Sequence, residues 1–148
     1  SIVRGRVSGC RGQMRGPVIY TICQIASTER WKGPAAGPVE AAIPGGSAQG
    51  LTQTFSGAPS LQEGAEYVLF LWTGKSGLTQ VIGLSQGVFD LKTDSKGRAM
   101  VRREAASEQM FDANGKPVDD RPVAMSVADL RERVQRALRE AEQKGAAQ

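Results

Sequence analysis

The chain has 148 residues, 40% of them hydrophobic and 23% charged, which is one domain's worth of sequence with enough apolar content for a single core. It has no histidine, which excludes Ser-His-Asp and Cys-His nucleophiles, histidine acid–base catalysis and most zinc and haem sites. The net charge of +4 is unevenly placed: Arg4, Arg6, Arg11 and Arg15 stand in an N-terminal stretch with no acid before Glu29, and the rest of the chain balances.

No apolar run approaches the roughly 20 residues needed to cross a bilayer as a helix. The chain opens at Ser1, without an initiator Met and directly in strand-like sequence. That suits a mature chain whose leader has been removed, and the expected location is secreted or periplasmic.

Ile2 to Cys10 reads as a first strand, with Gly5 and Gly9 permitting bends. Arg11 to Pro17 reads as a polar turn, and Val18 to Ser27 as a second strand that Trp31-Lys32-Gly33-Pro34 closes. In that register Cys10 and Cys23 lie about six residues apart along the hairpin, roughly 20 Å. A disulfide needs Cα atoms within about 7 Å, so Cys23 is read as a small buried hydrophobe unless residues 11–22 form a disordered loop.

Val39 to Ile43 is the third strand, followed by a long glycine-rich loop from Pro44 to Gly64 in which Gln53-Thr54-Phe55 can form a short strand. Tyr67 to Thr73 and Leu78 to Leu84 are the fourth and fifth strands. The first of these contains six consecutive apolar residues and is the natural centre of the core. Gly87 to Leu91 re-enters the sheet after a bulge at Gly83 or Gly87. Residues 1–94 are thus expected to be a β-barrel and residues 95–125 a turn-rich connector, in which Ala99-Met100-Val101 can form a short strand and a small hairpin stands around Asn114-Gly115. Ser126-Val127-Ala128-Asp129 resembles a capping box, and Val127, Leu130, Val134, Leu138 and Ala141 follow at helical spacing. An amphipathic helix over 126–143 is expected to pack its apolar stripe on the barrel, leaving 144–148 as a frayed tail.

Five strands, the first bent by glycine, and a covering helix give the expected fold: mainly β, a five-stranded closed barrel of the OB type with a C-terminal amphipathic helix. Ile2-Val3-Arg4-Gly5-Arg6-Val7, the strand end at Trp31-Lys32-Gly33 and the stretch Gly64 to Leu71 resemble uncharacterised bacterial exported domains. Pro44-Gly45-Gly46, Gly57-Ala58-Pro59 and Gly83 to Phe89 fit the same group, which is similar in layout to the netrin-like module of tissue inhibitors of metalloproteinases. The resemblance implies an exported OB-type barrel. It does not imply protease inhibition, because those inhibitors use an N-terminal cysteine and this chain begins with Ser1.

Neither a nucleophile–base pair nor a cofactor or metal motif can be named, so the expectation is a non-enzymatic binding domain without cofactor. Glu63 and Glu66 are read as solvated turn acids rather than an acid–base pair. The favoured partner is a protein, contacted through the 44–64 loop or a barrel face; Gly45, Gly46, Gln49 and Phe55 are the loop residues singled out. The alternative is an anionic polymer, nucleic acid or polysaccharide, held by Arg4, Arg6, Arg11 and Arg15.

Overall fold

The first thirty-two residues form one long bent hairpin in the computed structural model, which describes residues 1–106 and 109–147. Strand β1 runs over Ile2–Arg15 and β2 over Val18–Lys32. Only two residues turn the chain between them, Gly16 at φ 57° and Pro17. A positive φ at the first central residue suits the right-handed twist of a hairpin, and proline pre-sets the second.

This tight turn corrects two expectations. Arg11 to Arg15 are strand, not turn, and the register moves with them: Arg15 pairs with Val18 and Cys10 lies directly opposite Cys23. The two cysteines form a disulfide with Cα atoms 4.1 Å apart. Cys23 is indeed fully buried, but as half of a cross-link. The bends fall where glycine was expected to allow them, with register shifts between Arg4 and Gly5 and between Val7 and Gly9.

The remaining strands are β3 (Val39–Pro44), β4 (Gly46–Ala48), β5 (Leu51–Gln53), β6 (Glu66–Thr73) and β7 (Thr79–Val81). After them come β8 (Val88–Thr93), β9 (Ala99–Arg103), β10 (Met110–Phe111), β11 (Pro117–Val118) and β12 (Val123–Ser126). A short 3-10 turn covers Leu84–Gly87, and an α-helix, α1, spans Val127–Ala146. Pairing runs β1–β2–β3–β7–β6, and β6 pairs with β1 again, so the path returns to its start. From β6 the sheet continues through β8 and β9 to β12.

The sheet therefore has more strands than the five expected. The short strand expected at Ala99-Met100-Val101 is present as β9, and with β12, which was not expected, it carries the sheet onward from β8. The small hairpin around Asn114-Gly115 is present as β10–β11. The expected fifth strand is shorter than Leu78–Leu84, since only Thr79–Val81 pairs with β6. The chain then loops out over Ile82–Gly87 and re-enters as β8; Val81 faces Leu71 and Val88 faces Leu69. Gly87 pinches the base of this excursion: a Cβ there would lie 2.7 Å from the Ile82 carbonyl oxygen.

Two apolar layers lie on opposite faces of β6. Tyr67, Leu69 and Leu71 pack with Val3, Val7, Cys23, Ile25, Val39 and Ala41. Val68 faces the other way, toward Ile2, Phe89, Leu91, Val101 and the helix residues Val127, Leu130 and Val134. Burial on both faces is why this strand carries an unbroken apolar run instead of an alternating one. Ser126 caps α1 as expected, its Oγ accepting from Asp129 N at 3.0 Å. The apolar stripe is buried from Val127 to Val134, Leu138 is half-buried, and Ala141 is exposed. The helix runs three residues beyond Gln143, so most of the expected frayed tail is helical; Gln148 lies outside the described residues.

An ion-pair chain links α1 to the sheet. Glu29 on β2 accepts from Arg131 of α1 and from Arg4 of β1, whose Nε also reaches Glu66 Oε1 on β6 at 2.9 Å. The Arg131 guanidinium also lies over the Trp31 ring, 5.5 Å from its centre. Burial opposes charge on Glu29, but Arg131 and then Arg4 outweigh it and hold its pKa below the ordinary carboxylate value.

Glycines near the hairpin tip test this packing. A Cβ on Gly12 would stand 1.7 Å from the Ser47 carbonyl oxygen, while one on Gly9 meets nothing within 4 Å. Gly12→Ala is expected to lower unfolding free energy by about 2 kcal/mol or more. Gly9→Ala should stay within about 0.5 kcal/mol. Denaturant titration of both variants checks this, and equal effects would mean that β4–β5 does not press on β1.

Candidate docking site

The glycine-rich loop is held over the tip of the first hairpin by a set of backbone-directed bonds. Gly45 N donates to Ile19 O at 2.8 Å, and Thr21 Oγ1 donates to Gly45 O at 2.8 Å. The Gln53 side chain accepts from Ile19 N at 2.7 Å and donates to Pro17 O at 2.8 Å. Gln49 and Gly50, at φ 52° and 76°, make the two-residue turn between β4 and β5. Part of the expected loop is therefore a hairpin, although its strand is Leu51–Gln53 instead of Gln53–Phe55. Farther along, Gln62 N donates to the Tyr67 hydroxyl and Gly64 N to Val7 O. The segment between these anchors, residues 55–60, forms a strap at the surface.

Two adjoining clefts flank Pro44 and Pro59. One, about 380 Å³, is lined by Ala42, Ile43, Trp72, Gln80, Val81, Ile82 and Leu84; the other, about 330 Å³, by Thr21, Gly45, Gly46, Gln53, Phe55 and Leu61 among others. Of the seven large apolar side chains left exposed among the described residues, four line these clefts: Phe55, Trp72, Ile82 and Leu84. Trp72 is 59% exposed and Phe55 42%. None of the nineteen residues lining the pair is charged, where the chain's 23% charged content would supply about four.

The larger cleft opens where β3 and β7 separate. Their parallel ladder has one bridge, Ala42 to Gln80. Ladder bonds alternate along a strand pair. Because Gly45 N bonds Ile19 O, Ala42 and Pro44 are the β3 residues whose peptide groups face β7. Ile82 N bonds Phe70 O and Gly74 N bonds Leu78 O, so on β7 it is Thr79 and Val81 that face β3. The next ladder bond would run from Pro44 to the Val81 carbonyl, and proline has no N–H to give. The ladder stops and the strands diverge.

Leu84, on the excursion between β7 and β8, has φ 57°, one of two positive-φ non-glycine residues among those described. A left-handed backbone costs a branched side chain about 1–2 kcal/mol. Here it holds Leu84, 38% exposed, at the cleft wall.

Beyond the strap a polar cleft is lined by Ser60, Ser85, Asp90, Arg103 and Glu104. Its Arg103 forms a two-pronged pair with Asp120, at 2.7 and 2.9 Å, and Asp120 also accepts from the Ala106 and Arg121 amides. The hydrogen bonds from Arg103, then that from Ala106, hold the Asp120 carboxyl far below the usual range.

Of the residues singled out from sequence, Gly45, Gly46 and Phe55 come together at the smaller cleft, while Gln49 sits at the β4–β5 tip. The arginines do not converge. Arg4 is held by Glu66 and Glu29, Arg6 faces Glu66 at 3.7 Å and donates to Gly64 O, and Arg11 lies 3.5 Å from Glu40. Arg15 lines a separate hollow with Gln13 and Glu40. Glu63 accepts from Cys10 N, and Glu66 is held by Arg4 and Arg6. Sequence reasoning missed Ile82 and Leu84. The usable signal was the glycine bracket Gly83 and Gly87, which marks Ile82–Gly87 as punctuation instead of strand.

Comparison with family models, curated proteins and solved structures found no match to this chain.

Leu84→Asn places a side chain tolerant of left-handed backbone at the strained position. It is expected to leave stability unchanged or raise it by up to about 1 kcal/mol, while reducing fluorescence of an apolar dye bound at the cleft. A clear loss of stability would mean that Leu84 serves the core. Asp120 supplies the pH test. Its depressed pKa means that the unfolded chain takes up the proton first as pH falls, so its stabilisation is complete above the ordinary value near about 3.9 and is lost below it. Asp120→Asn should be less stable at neutral pH and lose less stability between about pH 5 and pH 2 than the parent. Denaturation midpoints across that range check this; parallel curves would contradict it.

Proposed function

We propose that this protein is a non-enzymatic binding domain, built on an OB-type barrel and exported, that docks a protein partner on its uncharged cleft face. The pairing circuit β1–β2–β3–β7–β6–β1, with β3 and β7 parallel, supports the barrel reading, with β4–β5 and Ile82–Gly87 as insertions. The Cys10–Cys23 disulfide supports an oxidising compartment. A non-catalytic role is supported by the absence of histidine and by the engagement of Glu63 and Glu66 in other contacts.

The observation that carries the proposal is the cleft wall itself. An exposed tryptophan, isoleucine and leucine surround an uncharged hollow, and the leucine is held there by an unfavourable backbone conformation. Contiguous apolar surface of this kind marks interaction sites more often than it serves folding. The anionic-polymer alternative has less support, since Arg4, Arg6 and Arg11 already face carboxylates.

A photo-cross-linking residue placed at Trp72 is expected to give a discrete protein adduct in cells that export the chain, lost on adding Leu84→Asp, whereas the same residue at Arg11 gives none. Heparin and an oligothymidylate should fail to bind at about 50 mM salt as well as at about 200 mM. Saturable polymer binding that weakens steeply between those salt concentrations, with no adduct at Trp72, would overturn the proposal.

A further inference from the structure

The main sheet ends at β12, whose outer edge shares no residue with the two clefts. Register fixes which of its peptide groups look outward. Asp94 N donates to Arg98 O, so Arg98, Met100 and Arg102 turn their peptide groups to β8, and Val101 and Arg103 turn theirs to Met125 and Val123 of β12. Across a trans peptide the N–H and the preceding carbonyl point opposite ways. The outward groups of β12 are therefore the Pro122 carbonyl, the N–H and carbonyl of Ala124, and the Ser126 N–H. No bond among the described residues reaches any of these four. The Ser126 carbonyl faces the same way, but as the helix N-cap it accepts from the first turn of α1.

The edge is open. No charge stands between Val123 and Ser126 to keep another strand away, and Ala124 is exposed. α1 turns back over its own sheet, where Arg131 reaches Glu29 of β2. The β10–β11 hairpin leans toward the start of β8, with Met110 Sδ accepting from Gln86 Nε2 at 3.7 Å. Ser126 is still extended, at φ −68° and ψ 154°, so the edge keeps strand geometry up to the helix.

We infer that β12 pairs antiparallel with β12 of a second copy of this chain, about a two-fold axis at Ala124, and joins the two sheets edge to edge. Ala124 then faces Ala124 of the second copy, and the two exchange both backbone bonds. Two residues away on either side, the Ser126 N–H of each copy donates to the Pro122 carbonyl of the other. All four free groups of each edge are used. Pro122 has no N–H to return, and the carbonyl it would have met, that of Ser126, is already bonded within α1. A strand from another protein would bring an ordinary carbonyl to Pro122 and leave it without a donor, which is what favours a second copy. Between these bonded pairs Val123 stands opposite Met125 of the second copy, on the face where both side chains already pack against the core. The contact uses the same patch on both copies and closes at two.

Sedimentation equilibrium of the full chain from about 10 μM to about 1 mM tests this. Reversible monomer–dimer association is expected, and a monomer throughout would overturn the inference. Over the same range amide hydrogen exchange should slow at Ala124 and Ser126, while Val123 and Met125, already bonded to β9, stay as they are. Ala124→Pro removes an N–H that bonds nothing in the single copy, and should weaken dimerisation about a hundredfold, about tenfold for each of the two bonds lost. Should that variant fail to fold, a charge swap takes its place. Ala124→Lys and Ala124→Glu each set like charges directly opposite and should stay monomeric alone, while their mixture forms a mixed dimer. A dimer indifferent to Ala124→Pro, or one that forms without slower exchange at Ala124 and Ser126, would put the contact elsewhere and overturn the inference. So would a mixture that associates no better than either charged variant alone.

Discussion

Strand β6 has to be covered on both faces and bonded along both edges, and most of the molecule answers that demand. Its run from Tyr67 to Trp72 has no charge to turn toward water. One face is therefore closed by β1, β2 and β3 and the other by β8, β9 and α1. On one edge it holds the start of β1; on the other it holds β8 and then β7. Burying a leucine or valine side chain contributes about 1.5–3 kcal/mol, so two opposed apolar layers on one strand outweigh any single polar contact elsewhere. The ion-pair chain through Glu29 is better seen as orienting α1 than as holding it, since Arg4, Glu29 and Arg131 are all still partly solvated.

The cleft is a by-product of how that demand is met. One edge of β6 is too long for a single straight partner, because β7 and β8 approach it from the same side. The chain between them has to leave, and Gly83 and Gly87 allow it to do so within six residues. The excursion carries Ile82 and Leu84 outward. Pro44 ends the neighbouring ladder at the same place, and the hollow between the diverging strands is left with apolar walls. These are three local features with separate causes, and only their coincidence in space makes a site.

Much of the β architecture was legible because it follows from local rules. The unbroken apolar run of β6, the glycine bends of β1, the re-entry of β8 and the Ser126-capped helix all lie where the residues indicated. The first hairpin was misjudged for an instructive reason. Arg11 to Arg15 look like a loop because they are polar, yet a strand covered by little more than a small hairpin can be polar, and Gly16-Pro17 suffices as the turn. A different turn length shifts every partner on the strand, and that shift set Cys10 against Cys23. In the same way, β12 is too short to read as a strand from its own four residues, although Val123 and Met125 pack on the core with Ala124 exposed between them; its pairing with β9 makes it a strand.

By itself, then, the sequence determined which segments must be buried, where glycine and proline interrupt them, that the helix presents one apolar stripe, and that histidine chemistry is absent. Those properties belong to single residues and their near neighbours. Only the tertiary structure decided the register of the first hairpin and hence the disulfide, the neutralisation of Arg4, Arg6 and Arg11 by carboxylates from distant segments, and the exposure of Trp72, Ile82 and Leu84. Each of these depends on which strand lies beside which, a long-range choice set by covering β6, and no window along the chain contains it.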